Sequence, residues 1–429
     1  MMNTKTYQVE AVDFDWYQRS VKCLHACPLH INAGKYASLI AEGDYGEALT
    51  VIRERLPFPG ILGEICYHPC ELACKMVEEE GRSIPLCSLK QFVARQEDEP
   101  LVDCRIARDR EEKVAVVGGG PAGMMAAYDL RKMGFKVVLF EAKDKLGGLL
   151  IDGIPPYRLS KEVVEKELGI LEKLGIEMRL KCSVGKDISL KQLRDDFSAV
   201  FVSVGGAAAK AMMLAEKELS FNLTRRGTFK VNPLTLETNI AGFFAGGDAV
   251  RGPGTVIDAM AEGRAAALSI ERNLSGEEPA PAGEDGLTAS GRRMACGELS
   301  LVNGENGTVD LLASRKQVLS EQEAREEGGR CLKCFVTPAF DSEKCILCGA
   351  CVDVCPGYCL KMVRLENLEG DVRVDEMVKE TLGLTLKTFK GDPQKTGEGT
   401  SIIKDDDRCL HCKLCEIRCP TGAIITDLF

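Results

Sequence analysis

Two runs of cysteine are the residues in this chain whose type and spacing most directly imply chemistry. Cys345, Cys348, Cys351 and Cys355 form C-x2-C-x2-C-x3-C and are followed by Pro356. Cys409, Cys412, Cys415 and Cys419 repeat the pattern and are followed by Pro420. Three thiolates this close clasp three corners of a cubane. The run is a [4Fe–4S] pattern in which the fourth cysteine of each run ligates the other cluster. The proline after it turns the chain away with no N–H to satisfy. Structural zinc sites favour paired ligands instead, and disulfides need an oxidising compartment. Sixteen of the 20 cysteines in the 429 residues fall into iron–sulfur patterns.

A second set of residues points to a nucleotide. Gly118, Gly120 and Gly123 form G-x-G-x-x-G between the strand KVAVV and the helix PAGMMAAYDLRKMG. The first glycine permits the tight turn, the second lets backbone approach a pyrophosphate, and the third allows close helix–strand packing. The next strand, KVVLFE, ends on Glu141, where a carboxylate can accept ribose hydroxyls. The glycine motif alone fits NAD or FAD. The later FFAGGDAVRGPGTVIDAMAEGRAAA, with Gly246, Gly247 and Asp248 ending a strand before a helix, decides for FAD. Expected cofactor contacts are Gly118, Gly120, Pro121, Ala122, Gly123, Glu141, Ala142, Gly148, Leu149, Gly205, Gly247, Asp248, Thr255 and Val256.

Several elements must position these residues. The length predicts two to four domains, and the 45% apolar fraction supports ordinary cores. The expected fold is multidomain, mixing α/β and α+β parts. Residues 1–108 form a helical iron–sulfur domain, and ASLIAEGDYGEALTVIRERLP reads as a helix pair broken by Gly43 and Gly46 and stopped by Pro57. Residues 109–275 form a Rossmann-like FAD domain. Residues 276–320, rich in Gly, Pro and acids, read as a linker. Residues 321–429 form a ferredoxin-like domain. The 53 residues between Cys355 and Cys409, including VRLENLEGDVRVDEMV and KTFKGDPQKTGEGTS, are expected to make a surface hairpin and loop.

Charge and hydropathy exclude other classes. Mean hydropathy is −0.07, and no apolar run reaches the 18 residues of a spanning helix. The first residues lack the apolar core of a signal peptide, so a cytoplasmic protein is expected. The formal charge is −10, and four clusters would add roughly −8. Nucleic acid is not an expected partner.

Together these segments resemble the glutamate synthase small-subunit family, which includes the N-terminal half of dihydropyrimidine dehydrogenase and the large subunit of ferredoxin–NADP transhydrogenase. The resemblance rests on CLHACPLHINAGKYASLIAEGDYGEAL, ICYHPCELAC, VVGGGPAG, KLGGLLIDGIPPYRLSKEVVEKELGIL, RRGTFKVNPLTLETNIAGFFAGGDAV and TVIDAMAEGRAAA, between about Cys23 and Ile270. It implies FAD, N-terminal [4Fe–4S] clusters and a second, NAD(P)H-binding domain inserted in the FAD domain. That insert belongs between Gly206 and Gly227, where this chain has only the 20 residues 207–226. One βαβ unit takes about 30 or more, so the usual nicotinamide domain is missing.

The resemblance also implies ligand sets for two further clusters. The family builds them from an early R-C-x-x-C, a C-x3-C-P and C-x3-C-x3-C. Here Cys23, Cys27, Cys66, Cys70 and Cys74 match the later pieces, while Cys331 and Cys334 in EQEAREEGGRCLKC resemble the first, displaced along the chain. Cys23, Cys74, Cys331 and Cys334 are assigned to one cluster. Cys27, Cys66, Cys70 and Cys87 are assigned to another, with Gln91 the alternative to Cys87 because a glutamine completes this cluster in the dihydropyrimidine dehydrogenase branch. Cys104, Cys182, Cys296 and Cys359 read as buried thiols. His25, His30 and His68 read as surface or supporting groups, and Met124, Met125, Met212 and Met213 as filling.

The expected function is an FAD- and [4Fe–4S]-containing electron-transfer subunit of an anaerobic oxidoreductase complex. Its partners would be other redox subunits, with ferredoxin one candidate. Two alternatives stand beside it. One is an autonomous NAD(P)H-dependent enzyme of the glutamate synthase small-subunit type. The other is a scaffold subunit whose FAD is structural and whose clusters alone conduct.

Overall fold

The computed structural model describes residues 6–9, 21–97, 106–206, 209, 212, 219–277, 318–341, 343–370, 372–383, 385–387, 399–405 and 408–428. Cys104, Met213, Cys296 and most of the expected linker lie outside these residues. The chain divides into two units, Cys23–Arg330 and a second made of Met1–Lys22 with Cys331–Phe429.

The larger unit begins with packed helices. Helix α1 (Ala33–Glu42) starts where the Asn32 side chain accepts from Lys35 N, and it stops at Gly43 with φ +90°. Helix α2 (Tyr45–Arg53) is capped by Asp44 accepting from Glu47 N. Gly46 was expected to break the pair with Gly43; it instead lies in the first turn of α2, where backbone N–H groups have no helical partner anyway. Helix α3 (Pro59–Ile65) opens on proline, and α4 (Leu86–Ala94) buries Leu86, Leu89, Lys90, Gln91, Phe92 and Val93.

A five-stranded parallel sheet follows. Its strands are β1 (Lys113–Val117), β2 (Lys136–Phe140), β3 (Glu177–Arg179), β4 (Ala199–Val202) and β5 (Phe243–Ala245), in the spatial order β3-β2-β1-β4-β5. The central strands are apolar at nearly every position because helices cover both faces. Helix α5 (Pro121–Lys132) links β1 to β2, and α6 (Lys161–Lys173) precedes β3. The order reverses at β1, so the ligand crevice of such a sheet lies beyond the carboxyl ends of β1 and β4. The connection expected in place of a second nucleotide domain is compact where described. Leu223 bridges Phe229, and Phe221 packs edge-on against Phe229 and Phe243. These rings join the sheet's own core.

Helix α7 (Val256–Ser275) crosses α5 closely, because a Cβ on Gly263 would lie 2.2 Å from Ala122 O. Its Arg264 donates to both carboxylate oxygens of Asp129 at 2.9 and 3.0 Å and to Arg55 O at 2.6 Å, tying α5 to the helical part. Buried Glu167 on α6 does the same for α3, accepting from Gly60 N and from Ile61 N at 2.8 Å. Burial pushes its carboxyl up to about 7, against those two N–H groups.

Helix α8 (Glu321–Gly329) starts on a capping box between Ser320 and Glu323. It packs on α1 so closely that a Cβ on Gly328 would lie 2.5 Å from Ala37 O. The boundary expected at 321 therefore falls after Arg330. The face that decides this is small, Ala324 and Gly328, in an otherwise charged helix.

The second unit pairs β6 (Val336–Phe340) with β10 (Ile424–Leu428), and β7 (Leu360–Arg364) with β9 (Thr400–Lys404), both antiparallel. The insert is more than a hairpin and loop. Its strand β8 (Leu368–Gly370) pairs in parallel with Tyr7–Val9, and Val372–Leu382 is a helix. Val363, Leu365, Leu368, Val374 and Leu386 form a small core with Tyr7 and Val9. Residues 7–9 thus belong to this unit and not to the helical domain expected over 1–108.

Candidate functional site

The glycine-rich loop has tight and open positions. A Cβ on Gly118 (φ +103°) would lie 2.6 Å from Ser203 O, and one on Gly123 would lie 1.9 Å from Gly118 O. These glycines let α5 seat against β1 and β4. A Cβ on Gly120 would meet nothing within 4 Å, and neither would one on Gly205. The open positions line the crevice, while the closed ones build it. Pro121 begins α5 directly behind Gly120, so the helix N-terminus faces that opening.

Glu141 is buried at the end of β2. Its carboxylate accepts from Gly119 N at 2.8 Å and from Lys143 N at 2.9 Å. A carboxylate has about four acceptor sites, so capacity remains for ribose hydroxyls. Gly148 brings its own turn to the loop, since its Cβ would lie 3.1 Å from Gly120 Cα. Ala142 and Leu149 beside these residues are exposed.

The later motif closes the opposite wall. Gly247 (φ +65°) donates to Glu262 and lies so close that its Cβ would be 3.1 Å from that of Ala122. Asp248 begins the short helix Asp248–Arg251, and half-burial raises its carboxyl pKa, opposed by Arg251 and by Gly254 N–H. Thr255 caps α7 by accepting from Asp258 N, which places Val256 in its first turn. The crevice therefore fits a dinucleotide whose phosphates lie against Gly120 and whose ribose reaches Glu141.

Four thiols converge in the helical part. Cys27, Cys66, Cys70 and Cys87 all lie close enough to Lys90 to act on its charge. Burial disfavours the Lys90 ammonium, but the thiolates outweigh it and push its pKa up. Burial also raises the Cys27 and Cys70 thiols, with neighbouring Cys66 adding to both. Cys66 accepts from His68 N at 3.3 Å, and Glu71 fixes the turn at Cys87 by accepting from its N–H at 2.6 Å. The set supplies four soft donors around one buried cation, which suits an iron–sulfur cluster of net negative charge.

The ferredoxin-like unit repeats one backbone twice. Leu347 and His411 both have φ near +50°, at 53° and 51°, and Gly349 and Lys413 follow at 77° and 61°. Short helices Ala350–Val354 and Leu414–Arg418 then carry Cys351 and Cys415. Cys359 N donates to Cys355 Sγ at 3.3 Å, and Ala423 N donates to Cys419 Sγ at 3.2 Å. One cavity is lined by Cys355, Cys409, Cys412 and Cys415. Cys355 is the fourth cysteine of the first run, and the other three open the second. Cys345 and Cys348 lie near Cys351 in the other half.

Residues 17–101 match the 4Fe–4S domain described as dihydropyrimidine dehydrogenase domain II. Residues 100–263 match the pyridine nucleotide-disulphide oxidoreductase family, and residues 344–423 the 4Fe–4S dicluster domain. The NADP(+)-dependent formate dehydrogenase subunit beta of Moorella thermoacetica is 35% identical over 46% of this chain and 31% of its own length. The NADPH-Fe(3+) oxidoreductase subunit beta of Geobacter sulfurreducens is 33% identical over 44% of this chain and 29% of its own. The glutamate synthase [NADPH] small chain of Escherichia coli is 32% identical over 43% and 39%. This chain is similar in sequence to these oxidoreductase subunits. It spans less than half the length of each of these relatives. It carries an FAD-binding domain and 4Fe–4S domains.

Several residues at these sites have weak sequence signals. Gly119 is as tight as Gly118, its Cβ falling 2.5 Å from Leu146 Cδ2, yet the G-x-G-x-x-G pattern leaves that position free. Lys90 reads as an ordinary helix lysine but is 5% exposed. His411, within the second cysteine run, reaches β6 with Nδ1 2.6 Å from Val336 O. Cys409 and Cys334 bond to the His411 ring and, against burial, raise its pKa to about 10. Cys359, expected to be an inert thiol, is buried 3.2 Å from Cys355 Sγ. Hydrogen bonding from Cys359 brings the Cys409 thiol down to about 3, against burial and with help from His411. His25 and His30 pack as tilted rings 6.3 Å apart, and burial lowers His30 to about 4. Cys182 is half-buried, packed at the edge of the sheet core. No helix among the described residues is long and apolar enough to cross a membrane.

Proposed function

We propose that this chain is an electron-transfer subunit of a multi-subunit anaerobic oxidoreductase working in the cytoplasm, holding one FAD and four [4Fe–4S] clusters. The observation that carries the reading is one chain joining a flavin crevice to cysteine sets, with the described part of residues 207–226 and the turn after it folded onto the sheet. FAD exchanges electrons in pairs or singly and the clusters exchange them singly, so a chain with both can join the two kinds of traffic.

The protein's own residues bind and position. Gly120 and the start of α5 receive the pyrophosphate, Glu141 the ribose, and Gly247 through Val256 the far side of the cofactor. Cys345, Cys348, Cys351 and Cys419 hold one C-terminal cluster, and Cys355, Cys409, Cys412 and Cys415 the other. Cys27, Cys66, Cys70 and Cys87 hold an N-terminal cluster; the thiols grouped around Lys90 favour Cys87 over Gln91 as its fourth ligand. The resemblance, and not the structure, assigns Cys331, Cys334, Cys23 and Cys74 to the remaining one.

Other redox subunits, or a ferredoxin, would exchange electrons with this chain. The NADPH-linked names of its relatives favour the autonomous alternative, but 20 residues are too few for their usual second nucleotide domain. The test is anaerobic mixing of the purified chain with a reduced low-potential ferredoxin. Cluster and flavin absorbance should both bleach; reduced clusters beside a flavin that stays oxidised would favour the scaffold alternative.

A further inference from the structure

The two halves of the ferredoxin-like unit have matching backbones but differ at one telling position. Four residues after the last cysteine of each run, one half has Cys359 and the other Ala423. Both donate a backbone N–H to the preceding cysteine, at 3.3 and 3.2 Å, so that contribution is the same in the two halves. The side chains are not equivalent. The Cys359 sulfur is 3.2 Å from Cys355 Sγ, hydrogen-bonds Cys409 as well, and is 5% exposed. It lines the same cavity as those two ligands. The methyl group of Ala423 has nothing to donate.

A hydrogen bond to a ligating thiolate draws electron density from the sulfur, which stabilises the more negative, reduced cluster. We infer that Cys359 is a tuning residue whose S–H makes the cluster of Cys355, Cys409, Cys412 and Cys415 the higher-potential member of the ferredoxin pair. This rests on the proposed occupation of that cavity by a [4Fe–4S] cluster. It gives the pair a built-in direction, with electrons settling on the half that carries Cys359. The effect is local, because both hydrogen bonds of Cys359 go to ligands of one cluster.

The test uses the full chain with its clusters in place, titrated anaerobically and followed by electron paramagnetic resonance. Iron and sulfide content of the unmodified chain comes first. Failure to find the C-terminal clusters would overturn the cofactor reading and this inference together. With the clusters present, Cys359→Ala should lower one potential, shifting the reduced-to-oxidised ratio about tenfold at fixed potential, or about 59 mV for one electron. The second C-terminal signal should not move. Cys359→Ser retains a donor and should stay close to the unmodified chain, and Ala423→Cys should raise the other cluster. Unchanged potentials in Cys359→Ala, or equal shifts in both clusters, would overturn the inference. So would loss of about four irons in that variant, since Cys359 would then be a ligand.

Discussion

Replacing Gly120 by Ala separates folding of the FAD domain from binding of its cofactor. The residue has φ −77° and ψ −177°, which any amino acid adopts, and its added methyl would meet no protein atom within 4 Å. The cost to the empty fold is confined to the weaker helix start that alanine gives relative to glycine, within about 1 kcal/mol. That moves an apparent Tm by about 2–4 °C. The methyl does project into the crevice where backbone must touch a pyrophosphate. Overpacking by such a group costs about 1–3 kcal/mol, which weakens FAD binding by about five- to 150-fold. Gly123→Ala is the contrast, because its methyl would lie 1.9 Å from Gly118 O and the helix cannot seat without moving backbone. That variant should lose stability at or beyond the upper end of the same range. The assay is FAD titration of deflavinated protein by fluorescence quenching, paired with anaerobic thermal unfolding of the same samples. Unaltered FAD affinity in Gly120→Ala, or destabilisation equal to that of Gly123→Ala, would refute the division into open and closed glycines.

Other predictions follow from different parts of the molecule. Replacing Cys331 and Cys334 together by Ser should remove one cluster, about four irons, and leave the C-terminal signals intact; an unchanged iron content would refute their assignment as ligands. Arg264→Ala leaves Asp129 buried without its partner, a change that costs about 3–5 kcal/mol and should show as a lowered unfolding midpoint. Glu167 is held at about 7 against an ordinary 4.5, so the folded state binds the extra proton and stability falls as pH rises through that interval. The full effect is on the order of 3 kcal/mol, and Glu167→Gln should flatten the anaerobic stability profile between those pH values. A profile as steep as that of the unmodified protein would assign the slope to other groups.

The parts legible in the sequence were those whose chemistry is local. A cubane's ligands are set by short cysteine spacing, and a pyrophosphate turn by three glycines, so both motifs stand out in a single strand of text. Residues whose role depends on distant partners did not. Lys90 is one of two lysines near Cys87 in the sequence, and only the fold surrounds it with Cys27, Cys66 and Cys70. Cys359 looked inert because its partner Cys409 is 50 residues away. The charged segment EQEAREEGG gives no sign that two small residues dock it on α1, so the expected boundary lies ten residues before the observed one. The pairing of Tyr7–Val9 with Leu368–Gly370 joins nearly opposite ends of the chain, and three-residue strands carry too little pattern to specify such a register.

The central claim, that this chain carries electrons without a nicotinamide site of its own, is tested most directly by stopped-flow mixing of the pure, anaerobic, flavin-loaded chain with NADH and with NADPH. Hydride transfer needs reacting atoms held about 3–3.5 Å apart, and the 20-residue connection offers no second nucleotide domain to hold them. The account predicts no fast flavin reduction by either nucleotide, while dithionite bleaches the same sample. Rapid, stoichiometric reduction by one of them would contradict it and make the chain an autonomous enzyme.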